Sequence, residues 1–334
     1  MMKMRAVVAT ARGGPEVLEL REVPLAWPRR PDDVLVRLKA AGLNPADAYF
    51  RRLGPYIEPA GPLILGHDGA GVVEAVGGRV RRFKPGDEVC FCNGGIGGDS
   101  GTYAEFSVVP EGQLVAKPAK VDFVLAAALP LVAITLLEAL HERARLKRGE
   151  HVLIHAGAGG TGHLGIQLAK LAGAGVATTA SSDSKAVLAA ELGADLVVRY
   201  REQDFVAETR TWTRGRGLDV ALDNVGPETM QHTFAAMAPY GRVVTLTGTP
   251  ADSADGAAYN GNLTIHNVMM LTPMWRGLRP RLRRQAALVG RAMDQLAAGR
   301  LRLVVDRVFA LGEAADAHRH LEAGQAVGKV VLTI

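Results

Sequence analysis

The sequence predicts an α/β protein in two parts, a small β-barrel and a doubly wound parallel sheet. Three observations carry that expectation. Short apolar strands punctuated by glycine and proline fill roughly the first 120 residues. Apolar strands alternating with helical segments follow from Phe123 onward. Between His151 and Lys185, a strand, a glycine turn, a helix and a second strand occur in succession.

In the first part, Val34 to Leu38 includes an alternating apolar pattern. Turn signals stand at Gly13-Gly14-Pro15, Gly61-Pro62, Gly77-Gly78 and Pro85-Gly86. Short strands so spaced predict a small barrel. In the second part the strands are Val152 to Ile154, Gly175 to Thr178, Leu196 to Val198, Asp219 to Leu222 and Arg242 to Leu246, with a further apolar strand at Asn267 to Thr272. The rest reads helix (Gln285 to Ala298), strand (Val304 to Ala310), helix (Gly312 to Ala323) and strand (Lys329 to Thr333). The last strand has no partner nearby and is expected to rejoin the first barrel.

The apolar run Val152 to Ile154 suits a buried parallel strand. Gly157, Gly159 and Gly162 follow at G-x-G-x-x-G spacing. The first permits the tight turn, the second admits a pyrophosphate, and the third lets helix and strand pack closely. Ile166, Leu168, Ala169 and Leu171 carry the helix onward. Its N-terminus would hold the pyrophosphate, where free N–H groups and the dipole favour an anion.

The second strand selects among dinucleotides. An NAD site usually places Asp or Glu about 20 residues past the glycines, on the ribose hydroxyls. Ala180, Ser181 and Ser182 stand there, and Lys185 follows within a turn. Hydroxyls and an ammonium accept a 2′-phosphate that a carboxylate would repel. Asp183 is read as a helix cap. NADPH is therefore expected over NADH.

The chain has 334 residues, 48% of them hydrophobic, enough to bury a large core in two domains. The net charge is +5 and the pI about 9.3. The arginines Arg276, Arg279, Arg281, Arg283, Arg284 and Arg291 read as the solvated face of a helix, with a polyanion contact as the alternative. Cys90 and Cys92, the only cysteines, do not suggest a disulfide framework. The apolar run Phe123 to Leu137 contains Pro130 and is too short to span a bilayer. No signal peptide is recognised at the N-terminus. A soluble cytoplasmic protein with no membrane or nucleic-acid partner is expected.

Several further segments occur in a telling order: AAGLNPADAYFRRLGPY, LILGHDGAGVVEAVGGRVRRFKPGDEV, GTYAEFSVVP, LPLVAITLLEAL, LKRGEHVLIHAGAGGTGHLGIQLAK, ELGAD, LDNVG, GRVVTLTG and GKVVLTI. Together they resemble the medium-chain dehydrogenase/reductase superfamily over essentially the whole chain. Within it, the chain looks like the zinc-independent, zeta-crystallin-like quinone oxidoreductase branch. The resemblance implies a GroES-like catalytic domain from residues 1–124 and 273–334, around a Rossmann domain at 125–272 that binds NADPH. It implies hydride transfer from the nicotinamide to a quinone or another conjugated carbonyl. It also implies a homodimer joined through nucleotide-domain sheet edges, with Asn267 to Thr272 as the candidate edge.

Residue roles come from the same resemblance. Asn44 and Tyr49 are the expected catalytic residues. Asn44 would donate to the nicotinamide carboxamide or to the substrate oxygen, and Tyr49 would donate a hydrogen bond or proton to the product. Asp47 is expected to fix the backbone of its loop. Thr135 would approach the nicotinamide, and Gly160 and Thr161 would cover the pyrophosphate. Tyr200 would lie by the 2′-phosphate beside Lys185. Asn224, Gly248 and Thr249 would face the cofactor groove, and Leu271 and Thr272 would lie beside the nicotinamide ribose.

Zinc-dependent relatives use two cysteines and a histidine. Here their pattern falls on Asn44, a position near Leu131, and His67. One nitrogen does not make a zinc site, so no metal is expected. Without zinc, a conjugated acceptor that delocalises its charge needs least help. Two other readings remain: a zinc-dependent alcohol dehydrogenase with atypical ligands, and a non-catalytic protein that binds NADPH or nucleic acid.

Overall fold

The computed structural model describes residues 2–25, 27–59, 61–97, 101–250 and 256–334. The chain divides into two compact units, residues 1–134 with 271–334, and residues 135–270.

In the first unit, β1 (Lys3–Ala9) pairs antiparallel with β2 (Leu18–Pro24). The spine of the second sheet is β3 (Asp33–Gly42). Helix α1 (Pro45–Leu53) follows it directly. A short β4 (Leu63–Ile64) joins β1, and β5 (Asp68–Val76) runs antiparallel along β3. Strands β6 (Glu88–Cys92), β7 (Phe106–Pro110) and β8 (Val115–Ala116) extend that sheet. Val34, Val36 and Leu38 of β3 meet Val73, Val89, Phe91, Val109 and Leu114 in one buried cluster. Period-two patterning places these side chains on a common face. Cys90 and Cys92 are free thiols buried in β6.

Helix α2 (Phe123–Ala128) is capped by Asp122, whose carboxylate accepts the Leu125 N–H. It packs on β3 and β5. The first unit's leading segment runs to Ile134. Helix α3 (Pro130–Leu136) continues into a π-helical stretch, Leu137–Arg143.

The second unit alternates strand and helix: β9 (His151–Ile154), α4 (Gly162–Leu171), β10 (Gly175–Ala180), α5 (Asp183–Glu191), β11 (Leu196–Arg199) and α6 (Phe205–Trp212). Then come β12 (Leu218–Asp223), α7 (Pro227–Phe234), β13 (Met237–Thr245), α8 (Ala257–Asn260) and β14 (Thr264–Asn267). All neighbours in this six-stranded sheet are parallel, in the order β11-β10-β9-β12-β13-β14. The order reverses between β9 and β12, the switch point where doubly wound sheets bind ligands.

The edge strand differs from expectation. It is β14, Thr264–Asn267, and not Asn267 to Thr272. Thr272 instead opens the short helix α9 (Thr272–Trp275), with Pro273 in its first turn. Proline there lacks the N–H a ladder needs and has its φ preset for a helix.

Helix α10 (Arg279–Ala297) buries Leu282, Leu288, Val289, Ala292 and Met293, and its arginines are exposed, the solvated face expected. Strand β15 (Val305–Ala310), helix α11 (Ala314–Glu322) and strand β16 (Lys329–Thr333) complete the described chain. Strand β16 rejoins the first unit as the sequence predicts, lying between β15 and β3.

Candidate active site

The loop into α1 shows why GLNPADAY folds as it does. Pro45 occupies the first helical turn, and Asn44 stands at the cap with Asp47 three residues on. Asp47 Oδ2 accepts the Asn44 backbone N–H at 2.8 Å. The expected role of Asp47 in fixing the loop is thus met, and the carboxylate does more.

Asp47 collects a chain of hydrogen bonds whose direction can be derived. Arginine only donates, so His318 Nδ1 accepts from Arg51 Nη1 at 2.8 Å. Burial, opposed by the Asp47 charge, brings the His318 pKa down to about 4, so the ring is neutral. Its Nε2 therefore carries the proton and donates to the Tyr103 hydroxyl at 3.1 Å. Tyr103 donates in turn to Asp47 Oδ2 at 3.1 Å. Glu322 anchors the far end by accepting both bonds from Arg51 Nη2 at 2.9 Å.

Asp47 Oδ1 lies 2.5 Å from His67 Nδ1. Both residues are fully buried. Burial alone would raise the Asp47 carboxyl, but the charge and hydrogen bond of His67 outweigh it and hold the carboxyl below its usual value. His67 Nδ1 thus donates, which leaves Nε2 outside the pair. That atom is buried and has no partner among the described residues. Nothing in the local sequence pointed to this pairing beyond the two residue types.

Asn44 is placed differently from the free donor expected. It is 1% exposed. Its Nδ2 donates to Asp68 Oδ2 at 2.9 Å, and its Oδ1 accepts from Lys329 Nζ at 2.5 Å. Lys329 also donates to Leu43 O at 2.9 Å. Burial lowers the Lys329 pKa against the pull of Asp68. Burial likewise pushes the Asp68 carboxyl up to about 6, opposed by Lys329. The amide is therefore locked between a buried lysine and a buried aspartate.

Tyr49 projects from α1 and is 41% exposed. Burial and a hydrogen bond with Tyr49 raise the Tyr56 pKa. The Tyr56 ring meets Trp275 edge-on at 4.3 Å and Phe50 at 4.9 Å. Tyr49 so belongs to an aromatic cluster with a polar tip.

The donors do not fit a catalytic zinc. Asn44 and His67 Nδ1 are committed to neighbours, and Leu131 brings no ligand. Burial, then the charge of Asp68, raises the Cys92 thiol well above its ordinary value. Among the described residues, no group of three His, Cys, Asp or Glu side chains is arranged to hold a metal ion.

In the second unit, the three glycines of the turn have distinct reasons. A Cβ on Gly157 would meet Thr178 Oγ1 at 2.2 Å, and one on Gly162 would meet Ala156 O at 2.2 Å. Gly159 has only Ala156 O at 3.3 Å, so a side chain there would enter open space. Such open backbone suits the close approach of a pyrophosphate. Gly160 and Thr161 lie half-buried beside it, before α4.

Asn224 follows β12, the strand next to β9, and its Oδ1 is buried without a partner among the described residues. Asp223 clasps the surrounding loops, accepting from Gly226 N at 3.3 Å and Thr247 Oγ1 at 3.1 Å. Thr245 Oγ1 donates to Gly248 O at 3.0 Å, which holds the loop carrying Gly248 and Thr249. The residues fit a dinucleotide along the ends of β9, β12 and β13. Thr135 lies buried in α3, whereas Leu271 and Thr272 belong to the first unit.

At the end of β10, the helix cap is Ser182 and not Asp183: its side chain accepts the Lys185 N–H. Asp183 instead pairs with Arg199, which also meets Glu202 at 2.7 Å. Arg199 sits opposite Ala180 in the parallel ladder, a second cation beside the two serines that the sequence reading missed. Only the alignment of neighbouring strand ends reveals it. Tyr200 follows and is half-exposed.

Comparison with known proteins agrees with this geometry. Residues 30–119 match the alcohol dehydrogenase GroES-like domain, and residues 192–332 match the zinc-binding dehydrogenase family. The chain is 36% identical over 326 residues to a quinone oxidoreductase of Pseudomonas aeruginosa, covering 96% of this chain and 97% of that protein. It is 32% identical to a 2-haloacrylate reductase of a Burkholderia species, covering 98% of each. Among solved structures, an NAD-dependent alcohol dehydrogenase superposes with a TM-score of 0.87 at 34% identity, over 99% of this chain and 100% of that one.

Proposed function

The chain belongs to the quinone oxidoreductase branch of the medium-chain dehydrogenase/reductase superfamily, and from that premise we propose that it is an NADPH-dependent, metal-independent reductase of quinones and other conjugated carbonyls. It is an oxidoreductase of this superfamily, and its Rossmann-type unit implies a nicotinamide cofactor. The relatives named for quinone and haloacrylate reduction support the substrate class. When bound, the nicotinamide supplies the hydride. The observation that carries the reading is the locked amide at position 44, between Lys329 and Asp68. The position aligned with a zinc-ligating cysteine is filled by a group spent on internal bonds. A conjugated acceptor spreads the incoming charge and is the class least in need of a metal.

The residues divide the remaining work. Tyr49 donates a hydrogen bond or proton to the reduced oxygen. His67, its Nδ1 fixed by Asp47, offers Nε2 as a second proton position. Asn44 orients rather than donates. Gly159, Gly160 and Thr161 cover the pyrophosphate, and Asn224 Oδ1 takes a cofactor donor. Ser181, Ser182, Lys185, Arg199 and Tyr200 surround the 2′-phosphate. Thr135, Gly248, Thr249, Leu271 and Thr272 keep their proposed places along the cofactor. The protein is proposed to be cytoplasmic and to dimerise through β14, the short edge of the parallel sheet.

The test is NADPH and NADH oxidation against quinones, enones and simple aldehydes, with wild type and Tyr49→Phe. The expected result is preference for NADPH and conjugated acceptors, with turnover lowered by about tenfold or more in the variant and NADPH affinity retained. Aldehyde reduction lost on chelation would replace this reading by a metal-dependent alcohol dehydrogenase. The solved NAD-dependent alcohol dehydrogenase favours that second reading.

A further inference from the structure

Beyond the groups assigned above, the first unit contains a cavity of about 670 Å³ whose two ends differ in chemistry. One end is apolar, lined by Ile57, Ile96, Met274 and Trp275. Trp275 carries this end to Tyr56, and Tyr56 shares a hydrogen bond with Tyr49. Asn93, also on the wall, donates its backbone N–H to His67 O at 2.8 Å. Trp275 and Asn93 thus connect the cavity wall to Tyr49, through Tyr56, and to the His67 backbone, although neither proposed proton donor lines it.

The other end is cationic. Arg30, Arg82, Arg279 and Arg283 line it, together with Asp32, Asp33 and Glu111. Two of these acids face the backbone. Asp33 Oδ2 accepts the Arg30 N–H at 2.9 Å, and Glu111 Oε1 accepts those of Arg81 and Arg82 at 2.7 and 2.5 Å. Asp32 lies 3.6 Å from Arg279. Among the described residues, Arg30, Arg82 and Arg283 have no carboxylate at ion-pair distance from their guanidinium groups. The first turns of α10, which contribute Arg279 and Arg283, add a helix N-terminus to this end.

A third observation narrows the ligand. Gln113 on the cavity wall is 8% exposed, and its Oε1 is buried without a partner among the described residues. An unpaired buried acceptor is satisfied by a ligand N–H or O–H. The cavity thus asks for an anion that guanidinium forks can grip, a hydrogen-bond donor, and an apolar segment leading to Tyr49.

We propose that this cavity holds a phosphorylated, amide- or hydroxyl-bearing tail of the substrate, so that the preferred acceptor is a conjugated acyl group carried on such a tail. The inference rests on the conjugated-carbonyl reading above and adds a handle to it.

The test uses one enoyl group on three thiols: coenzyme A, 4′-phosphopantetheine and neutral N-acetylcysteamine, each at saturating NADPH, with a small quinone as control. Wild type should reduce a phosphorylated thioester with kcat/KM about tenfold or more above the neutral one, through KM, and lose that advantage with added salt. Preference shared by phosphopantetheine places the recognised phosphate on that arm; preference for coenzyme A alone places it on the nucleotide. Arg82→Ala and Arg283→Ala should each remove most of the advantage and leave quinone and neutral thioester kinetics unchanged. Equal rates for all three thioesters, or variants that slow charged and neutral substrates alike, overturn the proposal. Absence of both quinone and neutral thioester reduction in wild type overturns the underlying reductase reading instead.

Discussion

Asp47 Oδ1 and His67 Nδ1 meet at 2.5 Å in a fully buried pair, and every donor around Asp47 points toward it. Arg51, His318 and Tyr103 form one arm of this arrangement, the Asn44 N–H a second and His67 the third. A carboxylate so supplied fixes the imidazole through Nδ1 and leaves Nε2 outside the pair.

Tyr103→Phe tests that arm. The substitution removes the donor to Asp47 and the acceptor for His318 Nε2. His318 Nε2 then lacks a partner and Asp47 Oδ2 keeps only the Asn44 N–H, and the expected loss of stability is about 1–3 kcal/mol. Urea unfolding of the two proteins measures it. A difference within about 0.5 kcal/mol, the usual range for neutral surface changes, would show that the relay does not hold the site together.

Ser182→Asp separates cofactor choice from folding. Aspartate is as good a helix cap as serine, so the melting temperature should be preserved. Its charge would stand where the 2′-phosphate is proposed to bind. NADPH affinity should fall by about tenfold or more, equivalent to ~1.4 kcal/mol, with little change for NADH. Fluorescence titration of both cofactors reads the result, and an unchanged NADPH affinity would place the phosphate elsewhere.

Gly159→Ala and Gly162→Ala should fail in different ways. A methyl on Gly162 collides with Ala156 O at 2.2 Å, between helix and turn. Overpacking of that kind costs about 1–3 kcal/mol. A methyl on Gly159 meets protein only at 3.3 Å. That variant should keep its stability and bind cofactor at least about tenfold more weakly. Calorimetry and titration of each variant distinguish the two outcomes.

Acidification should destabilise the fold. Burial holds His155 and His318 neutral, each with its pKa brought down to about 4 from the ordinary 6.5. The unfolded chain takes up these protons near 6.5 and the folded one only near 4, so their stabilisation is lost as pH falls through that window. Asp68 opposes this, because its folded proton is held up to about 6 and is released on unfolding above 3.8. His266 and the lowered carboxyls of Asp47 and Asp219 add to the uptake, Asp223 opposes it with Asp68, and stability should fall as pH drops from about 6 to about 4. Unfolding free energies at several pH values give the slope; a flat or rising stability on acidification contradicts it.

The nucleotide turn was legible in the sequence because its causes are local. Gly157, Gly159 and Gly162 act on neighbours within a few residues or on the adjacent strand. The interior of the first unit was not. Asn44 is tied to Lys329, a separation of 285 positions, and Arg51 to His318, a separation of 267. No window of sequence shows which buried lysine will consume an amide. The edge strand was misplaced for a different reason: Val268 to Leu271 are apolar, but Pro273 makes the segment turn toward a helix.

Strand β16 has a consequence for how the protein is made. It lies between β15 and β3, and its first residue, Lys329, fixes Asn44. A ribosome has therefore released the whole parallel sheet before the first unit can close. Until β16 emerges, the Ala40–Gly42 end of β3 lacks a partner on one edge, beyond the stretch that β7 covers, and the loop at Asn44 lacks its lysine. Such late, non-local closure slows folding and prolongs exposure of a strand edge. The nucleotide unit can fold first during synthesis, so a nascent chain should be competent to hold the dinucleotide before it can assemble the groups that use it.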